Sequence, residues 1–301
     1  MIKEKSILEE KFGNNVLVNE NLAKYNWFNL GGNADIFFRP ENEVQLIQFI
    51  KTIHNLQINF HILGAGSNTL IRDRGIRGSV IKLGSKFASI KLIEEDKIEV
   101  GAGILDKKVS DFATQNMIGG LEFLSCIPGS IGGAITMNSG CYGYEISEAL
   151  ESIKVLDERG TTQKIFKDNI KFHYRGTNLP KNYVILSAIL KGKKTLSSLV
   201  KKKQLELIEK KKNTQPSRVK TCGSTFKNTK EKKAWQIIKD AGCEKFSVGD
   251  ASISEQHCNF FVNNGSAKSA DIENLINKVK EQVLNKTGIN LELEIKIIGN
   301  E

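Results

Sequence analysis

Seven glycines and one proline fall within the 25 residues 119–143, and this density constrains the chain more than any other feature. In a helix or strand interior glycine costs about 1 kcal/mol and proline about 3 kcal/mol, so the stretch is expected to be a loop. Yet Leu121, Phe123, Leu124 and Ile127 are too apolar for a solvated one. A loop that is free in its backbone and apolar in its side chains has to wrap closely around something. A flat, polyanionic ligand fits, because main-chain amides serve its charge and the missing side chains let a planar ring lie against the backbone.

A shorter loop, Gly64-Ala65-Gly66-Ser67-Asn68, has the same character. Two glycines let the backbone approach a phosphate, and Ser67 and Asn68 add side-chain donors. The third glycine of GxGxxG is missing and Leu70-Ile71 is strand-like where a helix would open, so this is not a Rossmann fingerprint. Standing alone it reads first as a tight turn. Before it, a helix is expected over 42–56, with Asn42 as its cap and Val44, Ile47, Ile50 and Ile53 as its apolar stripe. Strands are expected at 58–63, 79–83, 97–100 and 152–156, and a helix at 107–115. Later come a lysine-rich helix within 191–212, a helix over 232–241 stopped by Gly242, and one over 270–286 with Ser269 as N-cap and Gly288 beyond its end. The alternation of 291–297 predicts a strand with its aliphatics on one face and Glu292, Glu294 and Lys296 on the other. The mixture is α+β, without regular βαβ alternation.

Several classes drop out on composition. The chain of 301 residues is 40% hydrophobic and 26% charged, and no apolar run approaches the roughly 20 residues of a membrane span. The opening MIKEKSILEEKFG lacks an export signal, so a cytoplasmic protein is expected. Five cysteines without a CxxC and four scattered histidines predict neither a disulfide framework nor a metal site. The net charge of +10 favours anionic partners, either nucleic acid or phosphorylated small molecules. The lysine runs of 191–212 have no aromatic residues among them, so they read as a solvated helix face and no nucleic-acid partner is expected.

Further motifs are Asn29-Leu30-Gly31-Gly32-Asn33-Ala34, the loop at 63–70, residues 120–134 and 137–143, Phe172-His173-Tyr174-Arg175, and Gln215-Pro216. Gly223-Ser224-Thr225-Phe226-Lys227-Asn228, Ser254-Glu255-Gln256-His257-Cys258-Asn259-Phe260 and the stretch 294–299 complete the set. Taken in this order, they resemble the UDP-N-acetylenolpyruvoylglucosamine reductase (UDP-N-acetylmuramate dehydrogenase) family. The resemblance implies a two-subdomain FAD-binding fold of the para-cresol-hydroxylase/vanillyl-alcohol-oxidase type plus a C-terminal α+β substrate-binding domain. It implies boundaries at 1–82 with 288–301, at 83–213 and at 214–287, with the last strand returning to the first subdomain. Only Tyr183 lies between Tyr174 and the lysine-rich helix, which is similar to the subtype lacking a tyrosine-bearing lid loop.

The implied reaction passes hydride from NADPH to non-covalent FAD and on to an enolpyruvyl ether of a UDP-sugar, in a monomeric enzyme. The resemblance assigns the cofactor to Gly64, Ala65, Gly66, Ser67, Asn68, Ser125, Pro128, Gly129, Gly132, Gly133 and Asn138. It assigns catalysis to Ser224 as proton donor, Arg175 as stabiliser of developing negative charge, and Glu294 as a catalytic carboxylate. Tyr142, Lys227, Asn228, His257, Asn259 and Lys296 are implied for substrate binding. Thr229, Thr177, Lys296 and Ser125-Cys126 depart from the usual pattern without removing a catalytic group. Two other readings stand beside this one. An FAD oxidase of the same fold would keep the glycine loops and have no need of 223–228, and a nucleic-acid-binding protein would draw on the charge alone.

Overall fold

The computed structural model describes residues 2–301, and the chain divides into two compact units. The first comprises the residues up to Val18, Ile36–Ala65 and Gly78–Lys211; the second comprises Asn19–Asp35, Gly66–Arg77 and Lys212–Glu301. The N-terminal third of the chain contributes to both.

In the first unit a five-stranded antiparallel sheet runs in the order Thr162–Phe166, Leu150–Leu156, Val184–Lys191, Lys97–Gly101, Ile90–Glu94. Its alternation is legible residue by residue: Ile98 and Val100 are buried while Lys97 reaches the Glu151 carboxylate at 3.0 Å. The helix Asp106–Gln115 and the glycine-rich segment share this core, through Val109, Ala113, Leu121, Leu124, Ile131 and Ile135. Burial of each large aliphatic here contributes about 1.5–3 kcal/mol. The segment is not irregular throughout, as its glycines led us to expect. Residues Glu122–Cys126 form a 3-10 turn and Ile131–Thr136 a short helix, because apolar burial outweighs the propensity cost over so few residues.

A second sheet joins Val16–Asn21, Asn33–Phe38, Ile76–Ile81 and Phe60–Ile62 in that order. The helix Glu43–Asn55 belongs with it, and Asn42 caps it by accepting from the Gln45 amide at 2.9 Å. Its buried stripe is Leu46, Phe49, Ile50 and Ile53, and Val44 is 65% exposed. The expected stripe was therefore displaced at its N-terminal end. Phe49 decides the orientation, since its ring stacks on Phe38 with centroids 3.7 Å apart.

The second unit packs the helices Ala234–Asp240 and Ser269–Thr287 with a three-stranded sheet, Ser247–Val248, Ala251–Ile253, Phe261–Asn263. The long helix buries Ile272, Leu275, Ile276, Val279 and Val283, as its spacing predicts, and ends at Gly288 with φ +71°. Its start differs from expectation, because Ser269 is already the first helical residue. The Asp73 carboxylate accepts from the Ser269 and Ala270 amides at 3.0 Å each, while the Ser269 hydroxyl donates to the Ile71 carbonyl. The final strand is also shorter than its alternation suggests. Only Lys296–Ile298 pairs in a ladder, parallel to Thr69–Ile71. Among the described residues no helix is long and apolar enough to cross a membrane.

Candidate active site

In the 64–68 loop, none of the backbone amides of the five residues donates a hydrogen bond to another group among the described residues. Buried or half-buried amides are almost always paired, so an unspent run marks a place for an anion. Gly66 has φ +73°, and a Cβ there would lie 2.1 Å from the Tyr25 carbonyl oxygen. A Cβ on Gly64 would lie 2.8 Å from the Ser130 hydroxyl, so the two glycine-rich loops meet at that point. Lys82 donates to the Gly64 carbonyl, and burial together with the neighbouring Arg39 charge lowers its ammonium to about 8. The sequence offered no signal for Lys82, a single lysine at the end of a strand.

The longer loop lies against 102–106. Ile131 and Gly132 donate to the Ile104 and Ala102 carbonyls at 3.0 and 2.9 Å, and Asp106 donates to Gly129 at 3.1 Å. A Cβ on Gly129 would sit 2.5 Å from the Asp106 carboxylate, which leaves it no room without a shift, and one on Gly132 would lie 3.1 Å from Ala102, a tight contact. Asp106 is fully buried, neither carboxylate oxygen has a hydrogen-bond partner, and burial raises its pKa well above the usual range. Ser125 closes its own turn by donating to the Glu122 carbonyl at 2.7 Å. Asn138 is 1% exposed and its amide is committed to Glu145, the His173 carbonyl and the Ser147 amide. It ties the hairpin that carries Tyr142 to the turn that carries Arg175.

Arg175 occupies that turn at φ +60°, unusual for a side chain of its size, and donates to the Gly140 carbonyl at 3.1 Å. Its guanidinium lies 4.7 Å from the Tyr174 ring centroid. Tyr142, also left-handed at φ +53°, lies under the Lys210 ammonium at 4.8 Å.

In the second unit Ser224, Glu294, Asn68 and Asn259 come together through main chain. The Thr225 amide donates to the Asn259 carbonyl and the Glu294 amide to the Thr225 carbonyl, both at 2.8 Å. Asn68 donates its side-chain amide to the Glu294 carbonyl at 3.1 Å and accepts the Lys296 amide on its own carbonyl at 2.9 Å. These bonds explain the short final strand: 292–295 are spent on 225–227, and only beyond them is 296–298 released to its parallel partner. The Asn259 side chain is 3% exposed and forms two bonds with Phe226, accepting from its amide at 2.9 Å and donating to its carbonyl at 2.8 Å.

Other expected residues have local partners. Lys227 reaches Glu292 at 3.2 Å, and the Asn228 side-chain oxygen accepts from the Ala234 backbone amide at 2.9 Å. His257 accepts from the Asn259 amide at 3.2 Å and packs edge-on to Phe260, and burial lowers its pKa.

A loop of unspent amides and a glycine-rich loop packed closely on 102–106 fit a dinucleotide with a diphosphate. Residues 34–165 match the family of FAD binding domains, and 215–298 match the C-terminal domain of UDP-N-acetylenolpyruvoylglucosamine reductase. The chain is thus an FAD-dependent oxidoreductase, a flavoprotein with a second domain of reductase type. The reductase of Pelagibacter ubique is 48% identical over 92% of each chain, and that of Rickettsia bellii 42% identical over 93% of this chain and 92% of its own. A solved structure of UDP-N-acetylenolpyruvylglucosamine reductase from Thermus caldophilus superposes with a TM-score of 0.82 at 30% identity, covering 94% of this chain and 98% of its own. The chain belongs to the UDP-N-acetylenolpyruvoylglucosamine reductase family.

Proposed function

We propose that the chain reduces the enolpyruvyl ether of UDP-N-acetylglucosamine to UDP-N-acetylmuramate, a step of peptidoglycan precursor synthesis, with NADPH as reductant. One observation carries the residue assignment: Ser224 and Glu294 flank a single residue, Thr225, whose amide and carbonyl hold Asn259 on one side and Glu294 on the other. FAD, when bound, would supply the hydride. Hydride addition at the terminal carbon of the enolpyruvyl group leaves negative charge on the adjacent carbon and its carboxylate, which calls for a cation and a proton donor. Ser224 delivers the proton to that carbon. Glu294, fixed in place by Thr225 and Asn68, takes part in that proton transfer. Arg175 balances the developing charge with a guanidinium whose planar fork suits a carboxylate. Lys227 and Lys296 attract the diphosphate or carboxylate of the substrate, and Tyr142, Asn228 and His257 complete its binding. Asn259 acts through the backbone of 225–226, because its amide is occupied there.

The cofactor contacts follow the same reasoning. The amides of Gly64, Ala65, Gly66, Ser67 and Asn68 hold the diphosphate, and Gly129, Gly132 and Gly133 with Pro128 admit the ring system. On this reading the enzyme works in the cytoplasm as a monomer, with no nucleic-acid partner. Stopped-flow of the two half-reactions tests it. Ser224→Ala is expected to leave flavin reduction by NADPH intact and to slow flavin reoxidation by the enolpyruvyl UDP-sugar by about 10²- to 10⁴-fold. Equal losses in both halves would remove Ser224 from the role of proton donor.

A further inference from the structure

Tyr142 and Arg175 stand on two tight hairpins of the first unit. Gly140–Cys141 and Tyr144–Glu145 pair across the turn Tyr142-Gly143, whose residues have φ +53° and +89°. Phe172–His173 and Gly176–Thr177 pair across the turn Tyr174-Arg175, in which Arg175 has φ +60°. Turn positions of positive φ ordinarily go to glycine, asparagine or aspartate, because a bulky side chain is strained there. A tyrosine and an arginine held at such positions in two bonded turns point to a function that outweighs the strain.

The two hairpins are joined by a closed circuit of hydrogen bonds with Asn138 at its centre. The Asn138 side-chain amide donates to the Glu145 carboxylate at 2.7 Å and to the His173 carbonyl at 3.3 Å, while its oxygen accepts from the Ser147 amide at 3.3 Å. Glu145 pairs with Gly140 across the first hairpin, and the Gly140 carbonyl accepts from the Arg175 guanidinium at 3.1 Å. From Arg175 the chain returns within two residues to His173, which closes the circuit. Glu145 is itself fixed, because its side chain accepts from the Glu148 amide and its own amide donates to the Glu148 carboxylate at 3.1 Å. Asn138 has φ +42°, which asparagine adopts more readily than other residues with side chains. It is 1% exposed, so water does not compete for these bonds.

We propose that Asn138 is a positioning residue for the reduction: it fixes the register of the two turns and thereby sets the Arg175 guanidinium where the substrate carboxylate arrives. The inference rests on the role given to Arg175 above. Asn138 touches neither flavin nor substrate and acts through Arg175, because every polar atom of its side chain is engaged within the circuit. Two substitutions break the circuit in different ways. Asn138→Gly accepts the positive φ without strain and removes all three side-chain bonds. Asn138→Asp keeps the shape of the side chain, loses the two donated bonds and brings a second carboxylate against Glu145.

The experiment is a double-mutant cycle on the flavin-loaded protein. The flavin is reduced with dithionite, and its reoxidation by the enolpyruvyl UDP-sugar is followed by stopped flow in the native protein, Asn138→Gly, Arg175→Ala and the double variant. Misplacing a reacting group by about 1 Å costs about 10²-fold, so Asn138→Gly is expected to lower the limiting rate at saturating substrate by about 10²-fold while the purified protein keeps its flavin. In the Arg175→Ala background the same change is expected to lower it by no more than about twofold, since residues of one network do not act additively. An undiminished loss in that background, with Arg175→Ala itself slow, would overturn the inference and leave the role of Arg175 standing. Native reoxidation by Arg175→Ala would overturn both. A folded but flavin-free Asn138→Gly protein would assign Asn138 to the cofactor and overturn the inference, as would an unchanged limiting rate. Asn138→Asp is measured in the same cycle, with the same expected and opposing outcomes, and decides where Asn138→Gly folds poorly.

Discussion

Asn259→Ala isolates the clamp that holds the Ser224 turn. Phe226 is fully buried; its outer edge is bridged by Leu293, and both its amide and carbonyl on the other edge face the Asn259 side chain. The side chain thus stands in for a neighbouring strand. Alanine leaves both main-chain groups without a partner at a site that was only 3% exposed. Each orphaned group costs about 1–3 kcal/mol, so the pair loses about 2–6 kcal/mol, toward the lower figure if water enters the space left by the amide. At about 1.4 kcal/mol per factor of ten, a loss of 3 kcal/mol speeds amide exchange of the peptide spanning 222–228 by about 100-fold. Hydrogen exchange read by mass spectrometry reports this directly. The same variant is expected to slow flavin reoxidation by substrate while flavin reduction proceeds, since none of the loops assigned to the cofactor depends on Asn259. Unchanged exchange of 222–228 combined with weakened substrate binding would refute the reasoning, because the amide would then be directed at substrate instead of Phe226.

Two further substitutions probe the loops. Gly66→Ala puts a methyl group 2.1 Å from the Tyr25 carbonyl oxygen at a left-handed φ. Strain of about 1–2 kcal/mol and overpacking of about 1–3 kcal/mol add, so purified protein should have a lower melting temperature and reduced flavin content. Gly84→Ala, with open space around its Cβ, is the control expected to match the native protein, and a Gly66→Ala protein with native flavin content would contradict the close approach. Asp106→Asn should stabilise the fold at neutral pH. Asp106 keeps its proton in the folded state above the pH at which the unfolded chain loses it, so stability is highest below the ordinary carboxylate pKa and falls as pH rises toward the folded value. In that window the native protein should lose about 1.4 kcal/mol per pH unit relative to the variant; parallel urea-denaturation curves at pH 5, 6 and 7 would contradict the burial of an unpaired carboxylate.

Local chemistry was legible where neighbours in sequence are also neighbours in space. Asn42 caps its helix, Gly242 and Gly288 take positive φ beyond theirs, and the helix Ser269–Thr287 buries the stripe its spacing predicts. The glycine loops announced a close approach of other groups to their backbone, and the structure has it at Gly66 against the Tyr25 carbonyl and at Gly129 against the Asp106 carboxylate, distances only missing side chains permit. Where tertiary partners took part, local reading failed. Ser269 does not cap its helix because Asp73, nearly two hundred residues away, supplies the carboxylate. Residues 291–297 alternate in polarity but do not form one strand, because their amides and carbonyls are divided between 225–227 and 68–71.

By itself, the sequence determined the periodic elements, the glycines and the residue types that chemistry requires, since these follow from backbone sterics and from spacing of apolar side chains. The tertiary structure alone decided which polar side chains are spent on the scaffold. Asn138, Ser125 and Asn259 read as ligand-binding groups in their motifs, yet each has its hydrogen bonds directed to main chain or to a neighbouring carboxylate. An amide side chain has the same donors and acceptor wherever it stands, and only the folded chain determines whether a backbone group or a ligand meets them first.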